Sequence, residues 1–235
     1  MPEIKPTVSQ FIESAFAIAR SKYHETSVCW TSLSGRLAPS GLVGMWANIQ
    51  KLGELDLLLR CLEDELQERI ATNPDGNGID FAYAYQVAFS ETWVGAGYEI
   101  LRSIRQRETH SRKVGLQTRD VSLRDDFKSL FADFERLRMP IEKYEIPKDK
   151  EMKAPIRMKQ FPELDATPDY SMYDKDDPNR SHLMPSGISE RGSIVWLAID
   201  HPTDSQYWVE RRQLSDRMLQ FIDVDLRHPT QAASS

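Results

Sequence analysis

The side chains best placed to do chemistry in this 235-residue chain gather between Arg102 and Arg124. Arg102, Arg105, Arg107, Arg112, Lys113, Arg119 and Arg124 stand there against Glu108 and Asp120 alone. That is a local net charge of +5 in a chain whose formal charge is -6. Arginine is a permanent cation with a planar fork of donors, and histidine, here His110, is the side-chain type that titrates near neutrality. Two uses compete for such a run. Cations at the C-terminal end of a helix are favoured by the helix dipole alone. A cluster of this size also suits an anion or an RNA phosphate, with Arg102, Arg107, Arg112 and Lys113 as the anion-binding candidates.

A second concentration lies at Tyr207-Trp208-Val209-Glu210-Arg211-Arg212. Aromatic and arginine side chains carry much of the binding energy at protein interfaces. Tyr207, Trp208, Arg211 and Arg212 are therefore interface candidates, and packing within the chain is the competing use.

Other chemistries lack their residues. His24-Glu25 is not followed by a second histidine at metalloprotease spacing, and no Glu-x-x-His pair occurs to build a di-iron bundle site. Asp174-Lys175-Asp176-Asp177 has neither the glycine nor the closing glutamate of an EF-hand loop, so a solvated acidic loop is expected and no metal is assigned. Gly41 and Gly44 precede a helix without a strand before them or a lysine after, and neither nucleotide-binding glycine pattern is present. No cofactor is expected. Cys29 and Cys61 lie far apart without a CxxC pair, which predicts two reduced thiols.

Within the basic run, Arg105-Gln106-Arg107-Glu108-Thr109-His110 places four residues between an arginine and a histidine. This spacing is similar to the short catalytic pattern of the HEPN family of helical-bundle ribonucleases. The resemblance covers six residues and a general helical architecture. It implies a dimer in which Arg105 and His110 of two subunits face a shared RNA cleft and cut without a metal. His110 would act on the attacking 2′-hydroxyl or the leaving oxygen, and Arg105 would steady the phosphate.

The elements that must position these residues are mostly helical. The chain is 40% hydrophobic and 28% charged, ordinary for a globular protein and acidic enough (pI about 5.5) to argue against a general nucleic-acid coat. Val8, Phe11, Ile12, Ala15, Phe16, Ile18, Ala19 and Tyr23 trace a helix over 7–28, which Thr7 or Ser9 can cap. The Ser/Gly/Pro-rich stretch 31–41 reads as a loop. A long helix follows over 42–71, its inner stripe running from Val43 and Trp46 through Leu66 to Ile70, with Arg60–Asp64 and Glu65–Arg69 as outer ion pairs. The turn-forming residues 73–78 stop it.

A third helix over 80–110, capped by Asp80, carries Phe81, Tyr85, Phe89 and Trp93 at intervals of four. Three such steps sweep about 120° of helix surface, the width of one buried face. Ser122 to Asp125 resembles a capping box for a fourth helix through Leu123, Phe127, Leu130, Phe131, Phe134 and Leu137, which Pro140 kinks or ends. Residues 193–199 switch to a β-branched apolar run, residues 207–210 can return as a partner strand, and a short helix follows from Arg212.

The fold class expected is mainly α. It comprises an antiparallel bundle of about four long helices (1–147), an extended irregular arm (148–192), a β-hairpin and short helix packed on the bundle (193–225) and a tail (226–235). No apolar run approaches a membrane span and the N-terminus does not resemble a signal peptide, so a cytoplasmic protein without a membrane partner is expected. The function expected is that of a non-enzymatic, self-associating interaction or scaffold protein, a homo-oligomer or the partner of another protein. The alternatives are a metal-independent RNA-cutting or RNA-binding protein centred on Arg105 and His110, and a small-ligand binder using the aromatic helix face.

Overall fold

The computed structural model describes residues 6–38, 43–72, 81–143, 145–159, 172–178, 186–200, 203 and 205–222. The proposed helix cap Asp80, the 73–78 turn, the tail after 226 and most of 160–185 lie outside these residues. The chain is mainly helical with a small sheet region towards its C-terminus, and it divides into two compact units, Met1–Gly76 with Ser215–Ser235, and Asn77–Leu214. This division falls inside the stretch that sequence periodicity treats as one bundle.

In the first unit, α1 (Val8–Lys22) opens with a capping box. The Thr7 side chain accepts from the Gln10 backbone N–H, and the Gln10 side chain accepts from the Thr7 backbone. Tyr23, at φ -114° and ψ 45°, interrupts the helix, and α2 (His24–Leu37) begins at once. The single helix expected over 7–28 is thus two. α2 runs to Leu37 through the first part of the loop expected over 31–41, because Trp30, Leu33 and Leu37 form an inward stripe that outweighs the local serines and glycine.

α3 (Val43–Thr72) packs against both α1 and α2. Gly53 makes the close approach possible. A Cβ there would stand 2.6 Å from Cγ of Trp30, inside van der Waals contact. The stripe read on α3 is buried at Ile49, Leu52, Leu59 and Leu66, whereas Trp46 and Ile70 at its ends are exposed.

In the second unit, α4 (Phe81–Lys113) lies along α5 (Asp125–Lys143). Phe127, Leu130, Phe131, Phe134 and Leu137 form the buried face of α5. The helix continues through Pro140 for three more residues. Gly97 of α4 receives the Phe134 ring at a distance where a Cβ would clash, 2.5 Å. The Trp93 and Phe134 rings pack with centroids 5.6 Å apart, and Tyr98 stacks on Phe131 at 5.5 Å.

Two antiparallel sheets complete this unit. β1 (Ile156–Arg157) pairs with β2 (Met172–Tyr173), and β3 (Ser186–Ile188), β4 (Ile194–Asp200) and β5 (Ser205–Glu210) form a three-stranded sheet in that order. β4 is buried from Ile194 to Ile199, and Leu197 faces Trp208 across the β4–β5 register. The expected hairpin is therefore present, extended by β3 and packed on α5. The third strand spares it the marginal stability of two strands alone. Met152, Met158, Tyr173, Leu197 and Ile199 share one apolar cluster, against which Trp208 packs. The chain then enters α6 (Arg211–Leu219), whose last residues belong to the first unit.

Candidate functional site

The basic run occupies the last turns of α4 and the connection to α5. Three of its arginines are held by neighbouring acids. Arg102 Nε donates to Glu99 Oε2 at 2.7 Å, Arg112 Nη1 to Asp120 Oδ1 at 2.8 Å, and Arg124 forms a close pair with Asp126. Glu108 is buried and does a different job. Its two carboxylate oxygens accept the backbone N–H groups of Val121 (3.1 Å) and Ser122 (2.8 Å), which tie the short 3₁₀ turn Val121–Leu123 back to α4.

Asp120 sits in the left-handed region (φ 52°) at the start of that turn. Bonds from the Thr118 hydroxyl and the Arg112 guanidinium hold its carboxyl below the usual range. The connection between the helices is thus fastened mainly by the Glu108 carboxylate, with Arg112 and Asp120 pairing beside it.

Arg105 and His110 are both exposed. The Arg105 guanidinium lies over the Phe131 ring, 4.9 Å from its centroid. Five residues along a helix correspond to about 140° of rotation, so the two side chains leave α4 on different faces. Lys113 is exposed, and burial pulls the half-buried Arg107 guanidinium below its usual range. One chain does not bring Arg105, His110, Arg107 and Lys113 to a common point.

The candidates near the C-terminus are engaged within the chain. The Tyr207 hydroxyl donates to Asp133 Oδ1 at 2.7 Å and accepts from Arg136 Nη1 at 3.0 Å, while Arg136 Nη2 donates to Asp200 Oδ2 at 2.9 Å. Burial and the bond to Asp133 push the Tyr207 phenol well above the usual range. Trp208 packs on the apolar cluster. Arg211 is buried, its guanidinium 5.4 Å from the Trp93 ring centroid, and the Arg212 backbone N–H donates to Ser193 Oγ.

No family model matches this chain, and no curated protein or solved structure does either. No group of three or more His, Cys, Asp or Glu placed to hold a metal occurs among the described residues, and no helix there is long and apolar enough to cross a membrane. Cys29 and Cys61 are free thiols.

The aromatic helix face divides where the sequence predicts continuity. Trp93 is fully buried, yet Tyr85 is 60% exposed and Phe89 38% exposed. The expectation that these rings form one buried face is therefore corrected. Packing against α5 covers Trp93 and Tyr98, further along the helix.

α1 departs further from the burial its spacing predicts. Val8 (76% exposed), Phe11 (63%), Ile12 (53%) and Ile18 (63%) stand in solvent on a helix whose spacing predicts a core-facing stripe. Only Ala19 of α1 is fully buried. The periodicity carries the signal that an apolar face exists, and it says nothing about what covers that face.

Proposed function

We propose that this chain is a non-enzymatic helical interaction protein of the cytoplasm that self-associates. The observation that carries this reading is the apolar face of α1, with four large aliphatic or aromatic side chains exposed on a single helix. Scattered apolar side chains are normal on a protein surface, whereas a contiguous group marks a contact site. The engagement of Arg102, Arg112 and Arg124 with acidic neighbours supports the same reading, since it removes charge from the competing anion site.

Light scattering on the full chain between about 1 and 200 µM tests it, a range that spans weak protein–protein affinities. A weight-average mass rising above 27.1 kDa is expected. A constant monomer mass throughout sinks the proposal.

One observation favours the RNA-directed alternative: Arg105, His110 and Lys113 stay exposed at the end of α4. That reading predicts salt-sensitive binding of a single-stranded RNA oligonucleotide, seen as fluorescence anisotropy, and RNA cleavage lost in His110→Ala. Binding unaffected by the combined Arg105→Ala and Lys113→Ala changes removes it. The small-ligand reading has no such support, since Trp93 is enclosed by protein groups and Tyr85 and Phe89 face outward.

A further inference from the structure

α1 carries a pattern more specific than general stickiness. Val8, Phe11, Ala15 and Ile18 are separated by three, four and three residues. At 100° per residue they fall within an arc of about 80°, the narrow seam of a two-helix contact. The seam runs beside the strip of Phe16, Ala19 and Tyr23, which is half-buried to buried. Its large side chains Val8, Phe11 and Ile18 stand on the flank of α1 that its own unit leaves uncovered, with Ala15 half-buried between them.

The spacing three-four-three reads the same in both directions. A helix with such a seam can pair with an antiparallel copy of itself about a two-fold axis at the level of residue 13. Phe11 of one copy then meets Ala15 of the other, a large ring against a small side chain, and Val8 meets Ile18. This is the self-complementarity that a two-fold interface requires.

Charge does not oppose the pairing. Thr7, Ser14 and Ser21 border the seam on one side, and Ile12 and Ala19 on the other. Glu13 and Arg20 lie about 120–140° from Val8, away from the seam, and Arg20 Nη1 is held 2.7 Å from Glu54 Oε2 of α3. Lys22 is held by Asp64 of α3, with Nζ 2.8 Å from Oδ2.

From these observations we propose that α1 pairs antiparallel with α1 of a second copy of this chain, through Val8, Phe11, Ala15 and Ile18. The proposal rests on the self-association reading and adds its surface and geometry. Val8, Phe11 and Ile18 are each more than 60% exposed, so a symmetric pair covers only a few large side chains per copy, against the roughly 1,200–2,000 Å² of a standard interface. Such a contact is below the standard size of a tight complex and within the range of weak, reversible ones, so the dimer forms at micromolar concentrations or above.

Analytical ultracentrifugation of the full chain and of Phe11→Glu tests the proposal, with far-ultraviolet circular dichroism confirming that the exposed substitution leaves the helices intact. The expected result is a dimer of twice 27.1 kDa whose dissociation constant weakens at least about 30-fold in the variant. A dimer insensitive to Phe11→Glu overturns the role of α1 and leaves self-association standing. A wild-type chain that stays monomeric overturns both, and a monomer that floats with phosphatidylcholine vesicles assigns the face to a lipid surface instead.

Orientation is read separately, in a Cys29→Ser background. Oxidising a mixture of Val8→Cys and Ile18→Cys chains is expected to cross-link one to the other. Cross-linking of each variant only with itself overturns the antiparallel pairing.

Discussion

Arg60 in the first unit and Arg136 in the second each bridge carboxylates from separate elements beside an aromatic side chain, but the Arg60 side chain is 7% exposed and that of Arg136 is 25% exposed. Arg60 donates to Asp56 at 2.9 Å, to Asp216 at 2.6 Å and to Ser215 at 2.9 Å, while the Trp30 indole N–H donates to the same Asp56 oxygen at 2.8 Å. Arg136 reaches Asp200 and the Tyr207 hydroxyl, with Asp133 Oδ1 3.8 Å from its Nη1. The partner chemistry is nearly the same. What differs is how much water can replace a lost partner, and that sets the cost of breaking each network. Arg112, in the basic run, continues the series towards the surface.

The sharpest break is Asp56→Ala. It removes the acceptor that a buried guanidinium and a buried indole N–H share, and loss of one partner from a buried ion pair costs about 3–5 kcal/mol. Urea unfolding followed by tryptophan fluorescence is expected to show a much lower midpoint. A loss below about 1 kcal/mol would put the Arg60 network on the footing of a surface pair and end the contrast. Arg60→Met, which removes the charge and keeps the volume, leaves the buried Asp56 carboxylate without its cation although Trp30 still donates to it, and is expected to cost several kcal/mol as well.

The matching break in the second unit is Asp200→Asn, where a neutral oxygen still accepts from Arg136 and water reaches the site. About 1–2 kcal/mol is expected, the difference between a charged and a neutral acceptor in a half-buried setting. If the loss equals that of Asp56→Ala, burial is not the variable that separates the two networks.

A third measurement uses pH and touches only the second network. The folded chain holds the Tyr207 phenol above the usual value of 10.0, so this tyrosine stays protonated when it would ionise in the unfolded chain. Its contribution is complete below pH 10 and is lost as pH rises from there towards the folded value. Stability is therefore expected to fall more steeply above pH 10 in the wild type than in Tyr207→Phe, which has no phenol to ionise. Parallel curves for the two proteins above pH 10 would show that the hydroxyl is not held by Asp133.

These networks also mark where the sequence stops being informative. Spacing alone allows Arg60 to pair with Asp56 or Asp64, each four residues away on the same helix. Periodicity favours an outer pair with Asp64, but Asp64 instead meets Tyr23 and Lys22. The choice is made by Trp30 on another helix and by Asp216, 156 residues further on. No local pattern contains those contacts.

The hairpin was legible for the opposite reason. Ile194 to Ile199 is apolar on both faces, and a strand covered on both sides reads as an unbroken apolar run. α5 was legible because its apolar stripe and its buried stripe coincide. On α4, ring spacing identifies the apolar face but not where the neighbouring helix begins to cover it, so Tyr85 and Trp93 look alike in sequence and differ in burial. The basic run shows the same limit. Its charge is visible in sequence, whereas the turn that Glu108 fastens to α4 depends on two backbone N–H groups that no residue pattern announces.

The smallest effect is expected at the surface end of the series. Arg112 pairs with Asp120 while keeping about a third of its side chain in solvent, and its distance to the buried Glu108 carboxylate is 4.0 Å. Glu108 is already satisfied by two backbone N–H groups, so Arg112→Ala leaves no buried polar atom without a partner, and water solvates Asp120 in place of the guanidinium. The unfolding midpoint is expected to stay within reproducibility of the wild type, and the difference to shrink further as salt is raised. Glu108→Ala is the control on the same turn, because it strands the N–H groups of Val121 and Ser122 and is expected to lower the midpoint clearly. If Arg112→Ala proved as damaging as Glu108→Ala, the positive charge itself would be holding the connection, and the ordering of arginines by burial would fail at its exposed end.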